Sequence, residues 1–597
     1  MCGIAGIYHF DNKKIDQRNF SQFTATLNHR GPDSEGEVLL NDDRLALAHK
    51  RLSILDISQA GHQPMISASG KYIISYNGEV YNFLELRKDL NQKGYQFKTQ
   101  TDTEVILAAY EHWGTECFNK FNGMWSMAIY HFEDGKLLLC RDRFGIKPLY
   151  YKHYGNFFAF ASETNAFEKI KGKPRSIDRA IFERSIIDPY YSASFGASIF
   201  DGIVQIKPGH YMLIEENGIT VQKQYYHFYK NCASNADLTY KFGDFYNLFE
   251  DAVKLRLRSD VPIATAFSGG IDSTAVFAMV NYLAKKSFSD NVPKEWQKGF
   301  CLSFANSAND DTPFAKAAIE EMNWNADFIN LTPHTIIDKI IHDTKFYDDL
   351  STTPLTSISP IYNAIKNNGF SVSLDGHGAD EYLFGYRNMV NDLYYNSLLY
   401  NGKKTSKQIA VALKNMYPPA DQKALKKRLI SEINEAYKGG NYFKRLWRNT
   451  IHTNECDTEI IKQNFFISPL PALLKNFDKA SMQHGVEVRM PFMDYRLVEM
   501  CYNIPWTEKI KNGQSKWIIR NELKTIMPKV VLNRNHKIGI SGPLEQWLNL
   551  ENRKKLLPII REGKNMDYMP AQWKNQDLLK IDNATFWLYL NIQLIQI

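Results

Sequence analysis

The chain has 597 residues, and 72 basic against 65 acidic side chains leave a formal charge of only +7, which argues against nucleic acid as the main partner. Its length exceeds the size at which one hydrophobic core stops growing, so at least two domains are expected, each able to bury its own core. Seven cysteines scattered without metal or disulfide spacing suggest neither zinc nor a disulfide framework, and no apolar run reaches the length of a membrane span.

The first informative residue is Cys2, in Met1-Cys2-Gly3-Ile4-Ala5-Gly6, because removal of Met1 would put a thiol and a free α-amine on one residue. A thiol is partly ionised near neutrality, and an α-amine of pKa about 7.7–8.0 suits taking its proton and returning it to a leaving amine. Alone, Cys2 reads first as a chance cysteine. A lipid anchor would need an apolar stretch ahead of it. Arg30-Gly31-Pro32-Asp33, Arg51-Leu52-Ser53-Ile54, Tyr76-Asn77-Gly78-Glu79 and Asp102 follow. Ile73, Ile74 and Tyr76 before Asn77-Gly78, and Val80 and Tyr81 after it, are strand formers, so the dipeptide by itself predicts a hairpin turn.

A loop-like stretch around 230–237 marks a junction. Beyond it, a β-prone stretch over 261–267, the loop Ser268-Gly269-Gly270-Ile271-Asp272-Ser273 and a helix-compatible run over 274–280 give strand, glycine-rich loop, helix. That order builds an anion site from backbone amides, the positive helix end and the hydroxyls of Ser268 and Ser273. It lacks the lysine of a Walker loop, and its plainer reading is a helix N-cap after a tight turn. A strand follows over 300–304, then Leu374-Asp375-Gly376-His377-Gly378-Ala379-Asp380-Glu381 and Gly385-Tyr386. A basic, helix-compatible segment spans about 403–448, either a solvated helical face or, functionally, a lid or partner-binding surface. Asp478-Lys479-Ala480-Ser481-Met482, Glu487-Val488-Arg489-Met490-Pro491 and Lys516-Trp517-Ile518-Ile519-Arg520 close the series, and Lys516 alone would be a solvated charge on an amphipathic helix.

Together these motifs resemble the glutamine-hydrolysing asparagine synthetase family, a class II glutamine amidotransferase fused to an asparagine synthase domain, with the first third of the chain carrying the glutaminase half. The resemblance implies an α/β and α+β chain of two domains. An N-terminal Ntn-hydrolase αββα sandwich would span 2–215, a linker 216–240, and an α/β ATP-pyrophosphatase (adenine nucleotide α-hydrolase-like) domain 241–597. Cys2 would attack the side-chain amide of glutamine and pass through a thioester. Asn77 and the Gly78 amide would form an oxyanion hole, each donor worth about 3–4 kcal/mol in the transition state. Arg51 would clamp the substrate α-carboxylate, Asp102 its α-ammonium, and Glu79 would stand beside them. The stretch Arg141-Asp142-Arg143-Phe144-Gly145 fits the same pattern as scaffold.

For the second half, the resemblance implies ATP cleaved between its α- and β-phosphates, with Ala266, Ser268, Gly269, Gly270, Asp272, Ser273, Leu302, Asp375 and Gly376 on the nucleotide. Asp272 and Asp380 would hold Mg²⁺, a hard ion that takes oxygen ligands and shares them with phosphate. Lys516 would face charge developing on the α-phosphate and the amidated carbon. His377 and Glu381 would belong to the acceptor or adenylate site. Two residues depart from the family: His377 stands where glutamate is usual, and Asp375 where serine is usual. The acceptor is therefore open between aspartate and another carboxylate such as a uronic-acid sugar. Rival readings are an amidotransferase feeding a phosphoribosyl sugar, which would leave the Ser268 loop and Asp380 without a task, and a non-catalytic regulatory or binding homologue. The expected partners are glutamine, ATP and a carboxylate acceptor, with no nucleic acid and no membrane insertion. A homodimer stays open, and the expected location is the cytoplasm, where ATP, glutamine and reduced thiols coexist.

Overall fold

The computed structural model describes residues 2–595 apart from 217, 235–239, 287–296, 305–306, 308–309, 332–335, 437–455, 537–541, 564, 571–572 and 574–575. The expected junction over 216–240 and the basic segment near 403–448 lie partly outside these residues. The described part of the latter is two helices, Gly402–Asn415 and Pro419–Ala436.

The N-terminal half contains twelve described strands: β1 (Gly3–His9), β2 (Ser34–Leu40), β3 (Leu45–Arg51), β4 (Met65–Ile66), β5 (Tyr72–Val80), β6 (Gly123–His131), β7 (Leu137–Arg141), β8 (Tyr150–His153), β9 (Phe157–Ala161), β10 (Val204–Gln205), β11 (His210–Glu215) and β12 (Gly218–Gln224). They form two antiparallel six-stranded sheets, ordered β10-β8-β9-β1-β3-β2 and β12-β11-β7-β6-β5-β4. Side chains alternate between the faces of a strand. Ile4 and Tyr8 of β1 and Leu45 and Leu47 of β3 accordingly pack with Ile73, Tyr130, Leu139 and Phe160 between the sheets. Ala5, Ala46 and Ala48, on the opposite face, pack with Phe20, Phe23 and Leu27 in and just after the helix Gln17–Ala25. On the outer face of the second sheet, Ile74, Tyr76 and Met127 meet apolar residues of Phe83–Gln92 and Asp102–Trp113. Burial on both sides explains why these strands read as almost unbroken apolar runs, and each fully buried large side chain contributes about 1.5–3 kcal/mol. Helix, sheet, sheet, helix is the expected αββα sandwich.

The C-terminal half is built on a parallel sheet of β13 (Ile263–Ala266), β14 (Gln297–Ser303), β15 (Ala326–Asn330), β16 (Val372–Leu374) and β17 (Glu487–Arg489), ordered β15-β14-β13-β16-β17. Strands succeed one another outward from β13 to β15, then the chain returns to lay β16 on the other side of β13. The strand order therefore reverses between β13 and β16. In an open α/β sheet, the crevice beyond the carboxyl ends at such a point is where ligands bind. The helix Ile271–Lys285, free of glycine and proline, runs from the end of β13 with ten of its fifteen residues buried, which fixes the loop ahead of it.

Candidate active sites

Cys2 immediately precedes β1, a central strand of the first sheet, and is only partly buried. Its N–H donates to Asn77 Oδ1 at 3.1 Å, and Arg30 Nε donates to its carbonyl at 3.1 Å. The thiol lies 3.9 Å from the Leu52 carbonyl, and burial pushes it above the usual thiol range. Asn77 and Gly78 do not form the hairpin turn that their own sequence predicts. They lie inside the nine-residue β5, opposite Ser126 and Trp125 of β6, because pairing with a long neighbouring strand overrides the turn tendency of the dipeptide. Gly78 has φ +152°, and a Cβ there would lie 2.1 Å from the Met124 carbonyl oxygen. Only glycine meets both conditions without strain.

Asp102 opens its helix, is 5 % exposed, and accepts from Tyr76 Oη and the Val80 amide, each at 2.9 Å. Burial pushes its carboxyl up to about 6 despite those two bonds. Arg51, at the end of β3, turns its guanidinium onto the carbonyls of Ser58 (2.8 Å), Leu55 (3.2 Å) and Asp56 (2.5 Å). It nevertheless stays close enough for its charge to lower the Cys2 thiol against the larger effect of burial. Glu79 faces Arg489 of the other half at 3.3 Å, and burial together with Glu487 pushes its carboxyl well above the usual range. The structure thus links Cys2, ahead of β1, to Asn77 and Gly78 within β5, and β5 in turn to Asp102 at the start of its helix, while Arg51 and Glu79 already have protein partners.

The second site is a cavity of about 960 Å³ beyond the carboxyl ends of β13 and β16. Ala266, Ser268, Gly270, Asp272 and Ser273 line it from the first strand and its loop, and Leu302 from β14. Asp375, Gly376, His377, Asp380 and Glu381 line it from the segment after β16. Gly269 does not, since its backbone packs instead against Ala315. The Ser268 hydroxyl lies 3.0 Å from that of Ser273 and accepts from the Gly270 amide at 3.2 Å, so the loop is braced from within. Gly270 is the N-cap of the helix and makes no side-chain capping bond, so the N-cap of the plainer reading is present and leaves the loop hydroxyls to one another. Asp375 does not reach outward. It is 1 % exposed and accepts from Tyr362 Oη (2.7 Å) and Ser373 Oγ (2.5 Å).

Lys516 is no solvated charge: it is 2 % exposed and paired with both Asp272 and Asp380, the latter at 2.5 Å. Burial alone would lower its ammonium, but the two carboxylates outweigh it and raise it. Glu381, also buried, accepts from Tyr386 Oη at 2.7 Å. Residues that motif reading gave no role also reach the cavity: Tyr190 from the N-terminal half, Phe477, Arg520 and Arg534.

Between the sites, Arg30 and Glu163 of the first half meet Asp478 and Lys479 of the second. Arg30 donates to Glu163 at 2.7 Å and to both oxygens of Asp478 at 2.8 and 3.2 Å, and Lys479 donates to Glu163 at 2.5 Å. Burial would raise Glu163, but Lys479, His29 and Arg30 hold it well below the usual carboxylate range. Motif reading quoted Arg30 and Asp478-Lys479 without linking them. The available signal was Asp478 and Lys479 set between the apolar residues Phe477, Ala480 and Met482 of the helix Leu470–Met482, a buried face.

Residues 1–226 match the family model described as "Glutamine amidotransferase domain", and residues 244–568 match "Asparagine synthase". Two Bacillus subtilis proteins, "Asparagine synthetase [glutamine-hydrolyzing] 3" and "Asparagine synthetase [glutamine-hydrolyzing] 1", are 29 % and 28 % identical to the chain. The first alignment covers 95 % of this chain and 93 % of the relative, the second 95 % and 91 %. "Amidase chry2" from Gibberella zeae is 26 % identical, with 90 % of this chain and 86 % of that protein covered. No described helix is long and apolar enough to cross a membrane. The chain belongs to the asparagine synthase family, ATP-dependent ligases that carry a glutamine amidotransferase domain ahead of the synthase domain.

Proposed function

We propose that the chain is a glutamine-hydrolysing asparagine synthetase of the cytosol, with a glutaminase unit over 2–215, a junction over 216–240 and a synthetase unit over 241–597. In this reading aspartate is converted by ATP to an acyl-adenylate, and nitrogen freed from glutamine displaces AMP to give asparagine, with pyrophosphate as the other product. The observation that carries the proposal is the convergence of Asp272, Asp380 and Lys516 beyond two adjacent strands of the parallel sheet.

At the first site the thiol is raised by burial, so it needs a base. The α-amine freed by loss of Met1 supplies one, held by Asn77 Oδ1. With that oxygen turned to the amine, Asn77 Nδ2 and the Gly78 amide are the donors for the developing oxyanion. Asp102, once ionised, binds the α-ammonium of glutamine, and Arg51 its α-carboxylate after releasing part of its hold on the 55–58 carbonyls.

At the second site, the Ser268 loop and the Ile271–Lys285 helix end receive phosphate oxygens. Asp272 and Asp380 fit a magnesium ion shared with phosphate. Both are hard oxygen donors directed at one cation, and among the described residues no larger group of His, Cys, Asp and Glu closes a cage that would exclude phosphate. Gly385 keeps space beside them, since a Cβ there would lie 1.8 Å from Asp380 Oδ1. Bound there, magnesium would offset the charge of the departing pyrophosphate. Lys516, held protonated, faces the α-phosphate.

A second reading, amidation of a larger carboxylate such as a uronic-acid sugar, is favoured by Asp375 and His377, which depart from the family pattern. Pyrophosphate release with ATP and either aspartate or uronic-acid sugars separates the two. Stimulation by aspartate is expected, stimulation by a uronic acid alone moves the assignment to the second reading, and no pyrophosphate with any carboxylate overturns both.

A further inference from the structure

We infer that Asp375 and His377 form a proton-accepting pair for the amidation step, with His377 taking the proton that ammonia loses as it bonds to the activated carboxylate. The inference rests on the amidating chemistry proposed above and assigns it a base, whichever carboxylate is the acceptor.

His377 lines the cavity, and its Nε2 lies 3.2 Å from Asp375 Oδ2. A carboxylate can only accept, so the ring nitrogen facing it carries the hydrogen, and a neutral imidazole then keeps its lone pair on Nδ1. Nδ1 has no hydrogen-bond partner among the described residues. Tyr362 and Ser373 hold Asp375 from the other side. Burial and the neighbouring carboxylate push the Tyr362 phenol well above its usual range, so it remains a donor. Phe477 stacks on the imidazole with ring centroids 3.4 Å apart and planes 25° apart. One edge and one face of the ring are thus fixed, the arrangement expected of a base that must meet a small nucleophile.

Other groups near the ring do not compete for the proton. Lys516 shares the cavity but is already protonated between Asp272 and Asp380. On the Phe477 helix, Lys475, Asp478 and Lys479 are paired with Asp349, Arg30 and Glu163. Farther along the loop, Asp380 faces Lys516 and Glu381 accepts from Tyr386. The step balances as follows. The ammonia lone pair bonds to the acyl carbon, the bond from that carbon to the adenylate oxygen breaks with its electron pair leaving on AMP, and one N–H proton passes to His377 Nδ1. The resulting imidazolium lies against the Asp375 carboxylate and releases its proton to water after the amide departs.

The test uses full-length enzyme supplied with ammonium salts at a fixed concentration of unprotonated ammonia. ATP–pyrophosphate exchange without ammonia reports adenylate formation, and amide formed per pyrophosphate, followed across pH, reports capture. His377→Gln is expected to lower amide formed per pyrophosphate on the order of 10²-fold beyond whatever it takes from exchange, and to remove the acid limb of the capture profile. Asp375→Asn, which presents an amide donor to the ring and reverses its tautomer, should lower capture but leave an acid limb. An unchanged profile in His377→Gln overturns the pair, as does a fall in amide formation no larger than the fall in exchange, which would put His377 in the adenylation step. A melting midpoint like the parent's shows that the synthetase half of the variant is folded, which glutaminase activity in the other half would not. Absence of exchange in the parent with every carboxylate defeats the amidating chemistry itself, an outcome distinct from failure of the base.

Discussion

Asp478→Ala probes the ionic cluster that joins the two halves. Four buried charges balance there, Arg30 and Lys479 against Glu163 and Asp478. Without Asp478, the fully buried Arg30 loses its bonds of 2.8 and 3.2 Å and must share Glu163 with Lys479 and His29. One positive charge is left uncompensated. Removing one partner of a buried pair costs about 3–5 kcal/mol, and with Glu163 still 2.7 Å from Arg30 the lower end applies. For a unit of roughly 200 residues, about 3 kcal/mol corresponds to a fall of about 6–12 °C in melting midpoint. The midpoint can be followed by tryptophan fluorescence alongside residual glutaminase activity. Arg30→Met with Asp478→Leu removes charge from both sides and should recover most of the loss, because apolar replacement of a buried pair is often nearly neutral. A single variant melting within about 2 °C of the parent, where about 6 °C or more is expected, would refute the reasoning, and so would a double variant less stable than the single one. Because Arg30 Nε also holds the Cys2 carbonyl, the single variant should lose glutaminase turnover although Asp478 lies in the other half.

Burial places the Asp102 carboxyl at about 6, and it binds an ammonium only when ionised, so the KM for glutamine should rise as pH falls through about 6; Asp102→Asn should weaken binding throughout and abolish that dependence. Cys2→Ala should end synthesis from glutamine while synthesis from ammonium salts continues, checked by amide formation with each nitrogen source, and retained use of glutamine would contradict the assignment. Gly385→Ala pushes a methyl group onto Asp380 and the Lys516 side chain, at 1.8 and 2.4 Å, and should stop pyrophosphate release while glutaminase activity survives.

Much of both sites was legible because chemistry-bearing side chains sit in short glycine-rich segments at strand ends, where spacing along the chain is also spacing in space. Ser268 to Ser273 and Gly376 to Glu381 are of that kind. Asn77-Gly78 misled because the partner that keeps it extended, β6, is separated from it by the helices Phe83–Gln92 and Asp102–Trp113 and the short helical segments that follow them. The burial of Lys516 was equally hidden, since its carboxylate on Asp272 lies 244 residues away. Arg30 and Asp478, 448 residues apart, stand in separate motifs that nothing local links until the fold closes them on one another. Local propensity carries no trace of such long-range pairings, and they decide which charges are buried.

Arg489 gives the short strand β17 two allegiances. Its side chain answers Glu79 beside the glutamine site, while its carbonyl receives the Asp375 amide at the other centre. A chimera that exchanged N-terminal halves between relatives at the covalent junction would sever that match, although every residue of each half were kept. The functional seam of the molecule runs through residues 478–489, and a graft that respects it must carry this stretch with the half it serves.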